Sequence, residues 1–354
     1  MLRLEARPIP SRLMAWLSPL LAVVVTMLCG AIMFAAMGNN PIDGLAVFFY
    51  EPVKNLRGWS EIGIKMVPLL TIGVGLAICF RANIFNIGAE GQLILGAITA
   101  SAVVLYVDDG NHGGGAAIIT LALVAGVLGG MLWAGIVAML RSRWHTNEIL
   151  VSLMLVYVAE LLLSWLVHGP MRDPDSFGFP ESRLFADGFL LPAVLPGMRL
   201  HMGILLAGLA SLAGWAYLSR SFAGYKLKVS GLAPLAASYA GFSSKRTLWT
   251  VLLVSGGLAG LAGAAEAMGP IGQLTPSISP GYGFAAIIVA FVGRLHPLGV
   301  VFSSFIMALF YIGGELSQSR LGMPSAITGV FQGVLLFSLL ACDVLIHNRL
   351  RWRH

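Results

Sequence analysis

The sequence predicts an all-α, polytopic membrane protein with about ten transmembrane helices. Of its 354 residues, 57% are hydrophobic and 11% are charged, whereas about 25% of the residues of a soluble domain are charged. The hydrophobic residues are also gathered into long runs, as expected of helices that cross a bilayer. This composition leaves almost no room for a separate globular domain, so residues 1–354 are predicted to form a single membrane domain.

Ten apolar runs are candidates for these helices. The first follows three arginines and is too long for the core of a signal peptide, which indicates a retained anchor. The second and the eighth are short for helices that must cross about 30 Å of hydrocarbon. The predicted spans are Leu13–Met37, Met66–Phe80, Gly91–Val107, Ala116–Leu140, Glu148–Val167, Met202–Leu218, Leu248–Met268, Gly283–Gly293, Leu298–Glu315 and Pro324–Ile346.

The distribution of Lys and Arg supports ten spans with both termini in the cytoplasm. Cytoplasmic loops are enriched in these residues, and with this topology fifteen of the 22 fall on the cytoplasmic side. An odd number of spans would place one terminal arginine cluster outside. Because the positive charge belongs to short loops, nucleic acid is not a predicted partner. The terminal clusters are Arg3, Arg7 and Arg12 at one end and Arg349, Arg351 and Arg353 at the other.

Small residues and cysteines give two further indications. Gly256, Gly257, Gly260 and Gly263 lie on one face of the seventh span, which predicts close packing against another helix. The three cysteines all fall in apolar runs, so neither a disulfide framework nor a metal site is predicted. No cofactor is expected.

Residues 80–92, FRANIFNIGAEGQ, are the most informative segment. They separate two apolar runs that are each shorter than the roughly 20 residues a spanning helix needs. Lipid cannot satisfy polar groups at this depth, so Asn83, Asn86, Glu90 and Gln92 must face protein or a water-filled cavity. We therefore predict that these four residues belong to a pathway through the membrane.

Two carboxylates in the outer halves of the fifth and seventh spans, Glu160 and Glu266, complete the predicted pathway. Structural alternatives remain open for all of these residues. Glu90 could cap the helix that begins there, at about 0.3–1 kcal/mol, while an uncompensated charge at mid-membrane costs about 2.5–3.5 kcal/mol. The two amides could join helices, and the other two carboxylates could pair with an arginine such as Arg172.

Two loops stand out between the spans. The outer loop, residues 168–201, contains five prolines and mixed charge. This loop is either an ordered cap or a docking surface for a soluble partner. A connection without a function of its own is an equal alternative. The inner loop, residues 219–246, has basic residues at both ends. Within it, Pro234 suits a first helical position and Gly241 suits the residue just past a helix end.

The short helix between them carries one apolar stripe at i, i+3, i+4 and i+7 spacing. The stripe consists of Leu232, Leu235, Ala236 and Tyr239. A two-turn helix is not stable alone in water, so it must pack either on the membrane interface or on a cytoplasmic partner. The chain has no P-loop, dinucleotide fingerprint, zinc-protease motif or nucleophile elbow. ATP hydrolysis, if transport needs it, belongs to another chain.

Several motifs, in order between Glu61 and Cys342, resemble permeases of ATP-binding-cassette (ABC) transporters. They match the branched-chain amino acid, ribose and nucleoside superfamily and are closest to its nucleoside-type group. The sequence departs from the pattern at Val156, where many relatives carry Asn, and at Ser238, where many carry Arg. The motifs are residues 80–92, FRANIFNIGAEGQ; residues 146–159, TNEILVSLMLVYVA; residues 228–231, KVSG; residues 236–241, AASYAG; residues 281–284, GYGF; and residues 290–299, AFVGRLHPLG.

The resemblance implies a transport subunit in a bacterial inner membrane rather than an enzyme. Such permeases pair, often as two paralogues, around one pathway for a small polar solute such as a nucleoside or sugar. A cytoplasmic ABC ATPase drives import, and an extracytoplasmic solute-binding protein delivers the solute. An inverted pseudo-repeat of residues 61–167 and 247–346 is also implied. The helix of the inner loop would couple the ATPase to the spans through Gly231, Leu232, Pro234, Leu235, Ala236, Tyr239 and Gly241.

A proton-coupled secondary transporter is the alternative, with Glu90, Glu160 and Glu266 as relay groups. It leaves the basic inner loop and its short helix unexplained. A membrane enzyme would need a nucleophile and base or a metal constellation, and none of the seven histidines is suitably spaced to another ligand.

Overall fold

The computed structural model describes residues 2–6, 12–108 and 114–352, and nearly all of its regular structure is helical. The predicted cytoplasmic residues Arg7 and Arg353 lie outside the described residues. The helices are α1 (Arg12–Ala36), α2 (Pro41–Leu45), α3 (Glu51–Lys54), α4 (Leu56–Arg81), α5 (Ala89–Val107), α6 (Ala116–Trp144), α7 (Glu148–His168), α8 (Gly203–Arg220), α9 (Phe222–Leu232), α10 (Pro234–Tyr239), α11 (Ser244–Glu266), α12 (Tyr282–Val292), α13 (Pro297–Leu321) and α14 (Ile327–His347).

Other regular elements are few in the described part of the chain. A π-helical turn, Ala46–Tyr50, lies between α2 and α3, and another, Ala267–Ile271, extends α11. Asp187–Phe189 forms one turn of 3₁₀ helix in the outer loop. Strands β1 (Leu2–Ala6) and β2 (Asn348–Trp352) pair in antiparallel register.

Each of the ten predicted spans overlaps one helix, and in the described part of the chain eight helices are long and apolar enough to cross a membrane. The chain is therefore a polytopic, all-α membrane protein. The second span is longer than its apolar run suggested, because α4 extends it to 26 residues, or about 39 Å. The eighth differs in the opposite direction, since α12 has 11 residues, about 16 Å, and cannot cross the bilayer alone. Helix α8 has 18 residues and ends at Arg220.

The described chain forms two compact units. The first comprises residues up to Ile62 together with those from Ile306 onward, and α1 packs against α14 within it. A cluster of aromatic rings fills its core, with centroid separations of 4.1 Å for Phe48 and Phe331 and 5.8 Å for Phe310 and Phe331. Glu51 and Arg320 form an ion pair in the same unit.

The second unit, Gly63–Phe305, contains closely packed helices. Helices α5, α6 and α11 meet through small residues. A Cβ added to Gly260 would lie 2.2 Å from the carbonyl oxygen of Gly126, and one added to Gly96 would lie 2.3 Å from the Cα of Gly260. The backbones can approach this closely only because no side chain intervenes. The predicted small-residue face of the seventh span is therefore confirmed as a packing surface.

The outer loop is an ordered cap over the segment that follows α11. Leu191 donates its backbone N–H to Met268 over 2.8 Å, and Phe185 donates to Gly272 over 2.8 Å. The side chain of Ser182 accepts from the backbone of Leu274 over 2.9 Å. These hydrogen bonds satisfy backbone groups that an irregular loop would otherwise leave unpaired.

Candidate functional site

The segment between α4 and α5, residues 82–88, folds as turns and irregular chain rather than as helix. We call it the re-entrant segment. Helix α4 ends at Arg81, and Asn83 then adopts the left-handed conformation with φ of 56°, which Asn tolerates better than most residues. Ile84 and Asn86 are buried. Polar backbone therefore runs through protein in this segment, as the membrane environment demands.

A reciprocal amide pair closes this segment onto the start of α5. The side-chain nitrogen of Asn86 donates to Gln92 Oε1 over 2.8 Å, and Gln92 Nε2 donates to Asn86 Oδ1 over 3.0 Å. Asn86 also donates to Ser255 Oγ on α11 over 3.0 Å and accepts from the backbone N–H of Gly88 over 3.2 Å. Asn86, Gln92 and Ser255 are each 0% exposed. The two amides thus satisfy one another inside the protein and tie α5 to α11.

The carboxylate of Glu90 lies at the N-terminus of a different helix. Glu90 Oε2 accepts from the backbone N–H of Gly283 over 2.5 Å, and further hydrogen bonds join the carboxylate to Ser279 and to the backbone of Gly281. Gly283 is required for this contact, because a Cβ there would lie 2.3 Å from the backbone nitrogen of Glu90. Two helices, α5 and α12, therefore meet by their N-termini around one buried carboxylate.

Helix α12 separates the carboxylate of Glu90 from the end of α4. At the other end of α12, the ring of Phe291 stacks on Phe80 in the last turn of α4, with centroids 5.2 Å apart. Gly283 and Phe291 are separated by about 12 Å along a helix that rises 1.5 Å per residue. Helices α5 and α12 both begin inside the protein.

The contacts of Glu90 bear on the choice, left open by the sequence, between a helix-capping role and a pathway role. Charge at mid-membrane costs about 2.5–3.5 kcal/mol, and a helix N-terminus returns up to about 2 kcal/mol in a buried geometry. The N–H of Gly283 belongs to this N-terminus, so the separate contribution is the hydrogen bond to the Ser279 side chain, about 1.5–3 kcal/mol for a bond to a charged group. These two contributions together are large enough to stabilise the carboxylate, which supports a structural role for Glu90.

A polar stripe on α7 was missed by the sequence reasoning, apart from Glu160. Tyr157, Glu160, Ser164 and His168 follow i, i+3, i+7 and i+11 spacing, which places them on one helix face. Glu160 and His168 are exposed, and Tyr157 is 55% exposed. Glu160 also lies near enough to Glu90 for the two charges to interact. The same spacing was present in the sequence, but the surrounding leucines concealed it.

Val156 and Glu266, the other two positions singled out on the spanning helices, are buried. Val156, where many relatives carry Asn, is 1% exposed and packs beside Gly91 at the start of α5. Glu266 is 4% exposed, and the hydroxyl of Tyr282 lies 3.5 Å from its Oε1. The ammonium of Lys65 lies 5.8 Å from the centre of the Tyr282 ring. Glu266 thus joins α11 to the start of α12 and does not share the exposed face of Glu160.

Asn83 is separated from the other amides and lines a cavity of 620 Å³. The cavity is bordered by the end of α6 and by the starts of α10 and α11, and an ion pair between Arg141 and Glu148 lies at its wall. His145, between α6 and α7, adopts a left-handed conformation with φ of 54°. The structure thus divides the six predicted pathway residues among a buried network, an exposed stripe and this cavity.

The predicted short helix of the inner loop is present as α10, with Pro234 at its first turn and Gly241 just past its end with φ of 79°. Leu232 belongs instead to the end of α9, because the chain breaks at Ala233. The stripe is nevertheless open to solvent. Leu232 is 76% exposed, Leu235 82% and Tyr239 97%, and Ala236 is also exposed.

Gly231 and Ser238 complete the inner loop. Gly231 packs against α4, since a Cβ there would lie 2.3 Å from the carbonyl oxygen of Arg81. This contact connects the exposed stripe to the helix that precedes the re-entrant segment. Ser238 donates its hydroxyl to the carbonyl of Pro234 over 3.0 Å.

The chain resembles known transport proteins over most of its length. Residues 59–340 match the family described as the branched-chain amino acid transport system permease component. The chain belongs to this permease family. The glucose ABC transporter permease protein TsgB13 of Haloferax volcanii is 32% identical over 352 residues, which cover 97% of this chain and 91% of that protein.

Two relatives come from Bacillus subtilis. Its guanosine ABC transporter permease protein NupP is 29% identical over 328 residues, covering 92% of this chain and 93% of that protein. Its guanosine ABC transporter permease protein NupQ is 26% identical over 263 residues, covering 72% and 81%. The resemblance to nucleoside-type permeases is confirmed. The permease is thus a multi-pass membrane subunit of an ABC transporter and not itself an enzyme.

Proposed function

We propose that this permease pairs with a second permease subunit to import a small, hydroxyl-rich solute, a nucleoside or a sugar. The observation that carries the proposal is the exposed carboxylate of Glu160 on α7, a helix long and apolar enough to span the membrane. Facing lipid, this charge would cost about 2.5–3.5 kcal/mol. Facing a water-filled pathway between two subunits, it keeps its hydration.

The chemistry of the polar stripe on α7 supports such a solute. A phenol, a carboxylate, a hydroxyl and an imidazole offer donors and acceptors in one row, which suits sugar hydroxyls. Two of the related proteins are permease proteins for glucose and guanosine. Because Bacillus subtilis has two guanosine permease proteins related to this chain, we propose a paralogue as the second subunit.

The buried network has a different proposed task. Asn86, Glu90 and Gln92 hold α5, α11 and α12 together behind the stripe, and Glu266 does the same at the start of α12. Movement of α12 relative to α5 would then change the access to the pathway. In this proposal Asn83, in the 620 Å³ cavity, lies toward the exit.

Energy coupling and delivery of the solute complete the proposal. The stripe of α9 and α10, with Gly231 behind it, docks on a cytoplasmic ABC ATPase carried by a separate chain. The outer loop receives an extracytoplasmic solute-binding protein. In this proposal the protein lies in a bacterial inner membrane with both termini on the cytoplasmic side. Residues 61–167 and 247–346 form an inverted repeat.

Cysteine accessibility tests the pathway directly. In a variant without Cys29, Cys79 and Cys342, an impermeant thiol reagent should modify Ser164→Cys, and saturating solute should protect it. The matched control is Val158→Cys, because Val158 is 49% exposed on α7, lies about 120° around the helix from Ser164 and should face lipid. Equal labelling of both positions, or no protection by solute at Ser164→Cys, contradicts the assignment.

Transport measurements separate this proposal from a proton-coupled carrier. Glu160→Leu should lower uptake more than about tenfold at unchanged membrane abundance. A hydrogen bond from the solute to a charged group contributes about 1.5–3 kcal/mol, and about 1.4 kcal/mol corresponds to each factor of ten. Uptake that continues after ATP depletion and needs only a proton gradient would favour the carrier. For topology, Phe177→Cys should react only from outside and Leu235→Cys only from inside, and the reverse pattern would contradict it.

A further inference from the structure

The inner loop contains a cluster of cations. Between Asp187 and Glu266 the sequence has no acidic residue, yet the loop carries Arg220, Lys226, Lys228, Lys245 and Arg246. Within the described residues, none of these five forms an ion pair. Five positive charges without an ion-pair partner among the described residues favour a negatively charged partner.

Lys226 and Arg246 converge on one cavity of 200 Å³ between α8, α9 and α11. Tyr217 and Ser243 also line it. Ser243 Oγ accepts from the backbone N–H of Arg246 over 3.3 Å, so its own hydroxyl hydrogen is available to a ligand. The cavity thus presents two cations and two hydroxyl donors, which is the donor set that phosphate oxygens accept from.

Aromatic rings hold the lysine in place. The ammonium of Lys226 lies 4.6 Å from the ring centre of Phe222 and 5.4 Å from that of Phe242. These contacts orient Lys226 without neutralising it. Phe222 is 65% exposed and Tyr225 is 57% exposed one turn further along α9, so exposed aromatic rings lie beside Lys226 on the helix that borders the cavity.

The position of the cavity favours a lipid as the source of the phosphate. Helix α11 is long and apolar enough to span the membrane, and Arg246 lies in its first turn. On α8, whose Tyr217 lines the cavity, the guanidinium of Arg220 lies 5.5 Å from the ring centre of Trp215. Tryptophan and exposed aromatic rings gather at the level of lipid headgroups, and basic clusters beside spanning helices attract anionic lipids.

We propose that this cavity binds the phosphate headgroup of an anionic phospholipid, with Lys226 and Arg246 as the cationic ligands. The exposed rings of Phe222 and Tyr225 lie against the acyl-chain boundary. Because α9 leads directly into α10, lipid bound at this cavity fixes the base of the segment that carries Leu235 and Tyr239. This site is separate from the solute pathway, so its test does not depend on the solute.

Retention of lipid during purification tests the site. The transporter, with the partner chains that it retains, is equilibrated with equal amounts of phosphatidylglycerol and phosphatidylcholine in detergent, and the lipids that remain bound are quantified by mass spectrometry. The wild type should retain phosphatidylglycerol preferentially. Lys226→Gln and Arg246→Gln should each lower its retention about fivefold, and Lys226→Arg should restore it.

Lys228→Gln is the matched control, because it removes the same charge from an exposed position of α9 that does not line the cavity. Equal loss in this control would show nonspecific surface attraction and overturn the site. Displacement of the lipid by excess inorganic phosphate would assign the cavity to a free anion instead. Loss of a co-purifying cytoplasmic subunit with unchanged lipid retention would assign the cations to a protein contact.

Discussion

Replacement of Asn86 by alanine should disrupt the junction between the re-entrant segment and α5. The substitution removes four hydrogen bonds, two with Gln92, one with Ser255 and one from the N–H of Gly88. It leaves the amide of Gln92 and the Gly88 N–H buried without these partners.

The expected cost can be bounded from the number of bonds. Hydrogen bonds between membrane helices average about 0.6 kcal/mol in double-mutant cycles, which gives a lower bound of about 2 kcal/mol for the four. A buried donor without a partner costs about 1–3 kcal/mol, so two such donors give an upper bound of about 6 kcal/mol. The free energy of unfolding should therefore fall by about 2–6 kcal/mol.

Thermal unfolding of the purified permease in detergent, scored with membrane abundance, measures the effect. The matched control is Asn83→Gly, which removes the same amide three residues away but at an exposed position and keeps the left-handed backbone accessible. It should change stability by less than about 1 kcal/mol. In the double variant Asn86→Ala/Gln92→Ala the two costs should be less than additive, because removal of Gln92 also removes its unpaired amide.

Equal stability of Asn86→Ala and Asn83→Gly would refute the reasoning. Strictly additive costs in the double variant would show that the two amides do not support one another.

Three further outcomes are expected. Gly260→Ala should lower the unfolding temperature and the membrane abundance, because its Cβ would lie 2.2 Å from the carbonyl oxygen of Gly126 and overpacking costs about 1–3 kcal/mol. The control Gly135→Ala should behave as wild type, since the nearest neighbour of its Cβ would be 3.7 Å away. Burial lowers the pKa of His201 from 6.5 to about 4. The folded outer loop should therefore have its full stability above pH 6.5, where the imidazole is neutral in both states, and lose up to about 3 kcal/mol as the pH decreases toward 4. Limited proteolysis of that loop across this range should show the change, and its absence would show that His201 is not held neutral. Tyr239→Asp should leave membrane insertion unchanged but reduce co-purification of the ATPase, because an aromatic anchor often dominates such contacts; undiminished co-purification and transport would contradict the coupling proposal.

The sequence by itself determined the class of this protein and most of its helices. Long apolar runs can satisfy their backbone groups in lipid only as helices, so composition and run length placed nearly every span. The ends of a helix could also be predicted where a residue type has a fixed conformational preference. Pro234 and Gly241 delimit α10 because proline suits the first turn and glycine tolerates a positive φ.

The tertiary structure decided which polar residues meet. Glu90 is 193 positions away in sequence from the Gly283 N–H that it accepts from, and Asn86 is 169 positions away from Ser255. No local pattern specifies such pairs, because they arise from the packing of α5, α11 and α12. The length of α12 depends on the same packing, since its N-terminus is completed by a carboxylate from another helix.

The structure likewise separated residues that look equivalent in sequence. Glu160 and Glu266 are both single carboxylates in apolar helices, yet one is exposed and the other is 4% exposed. Hydrophobic periodicity cannot distinguish them, because in a membrane the lipid-facing and the buried faces are both apolar. Only the positions of the neighbouring helices show which carboxylate faces outward and which joins two helices inside the protein.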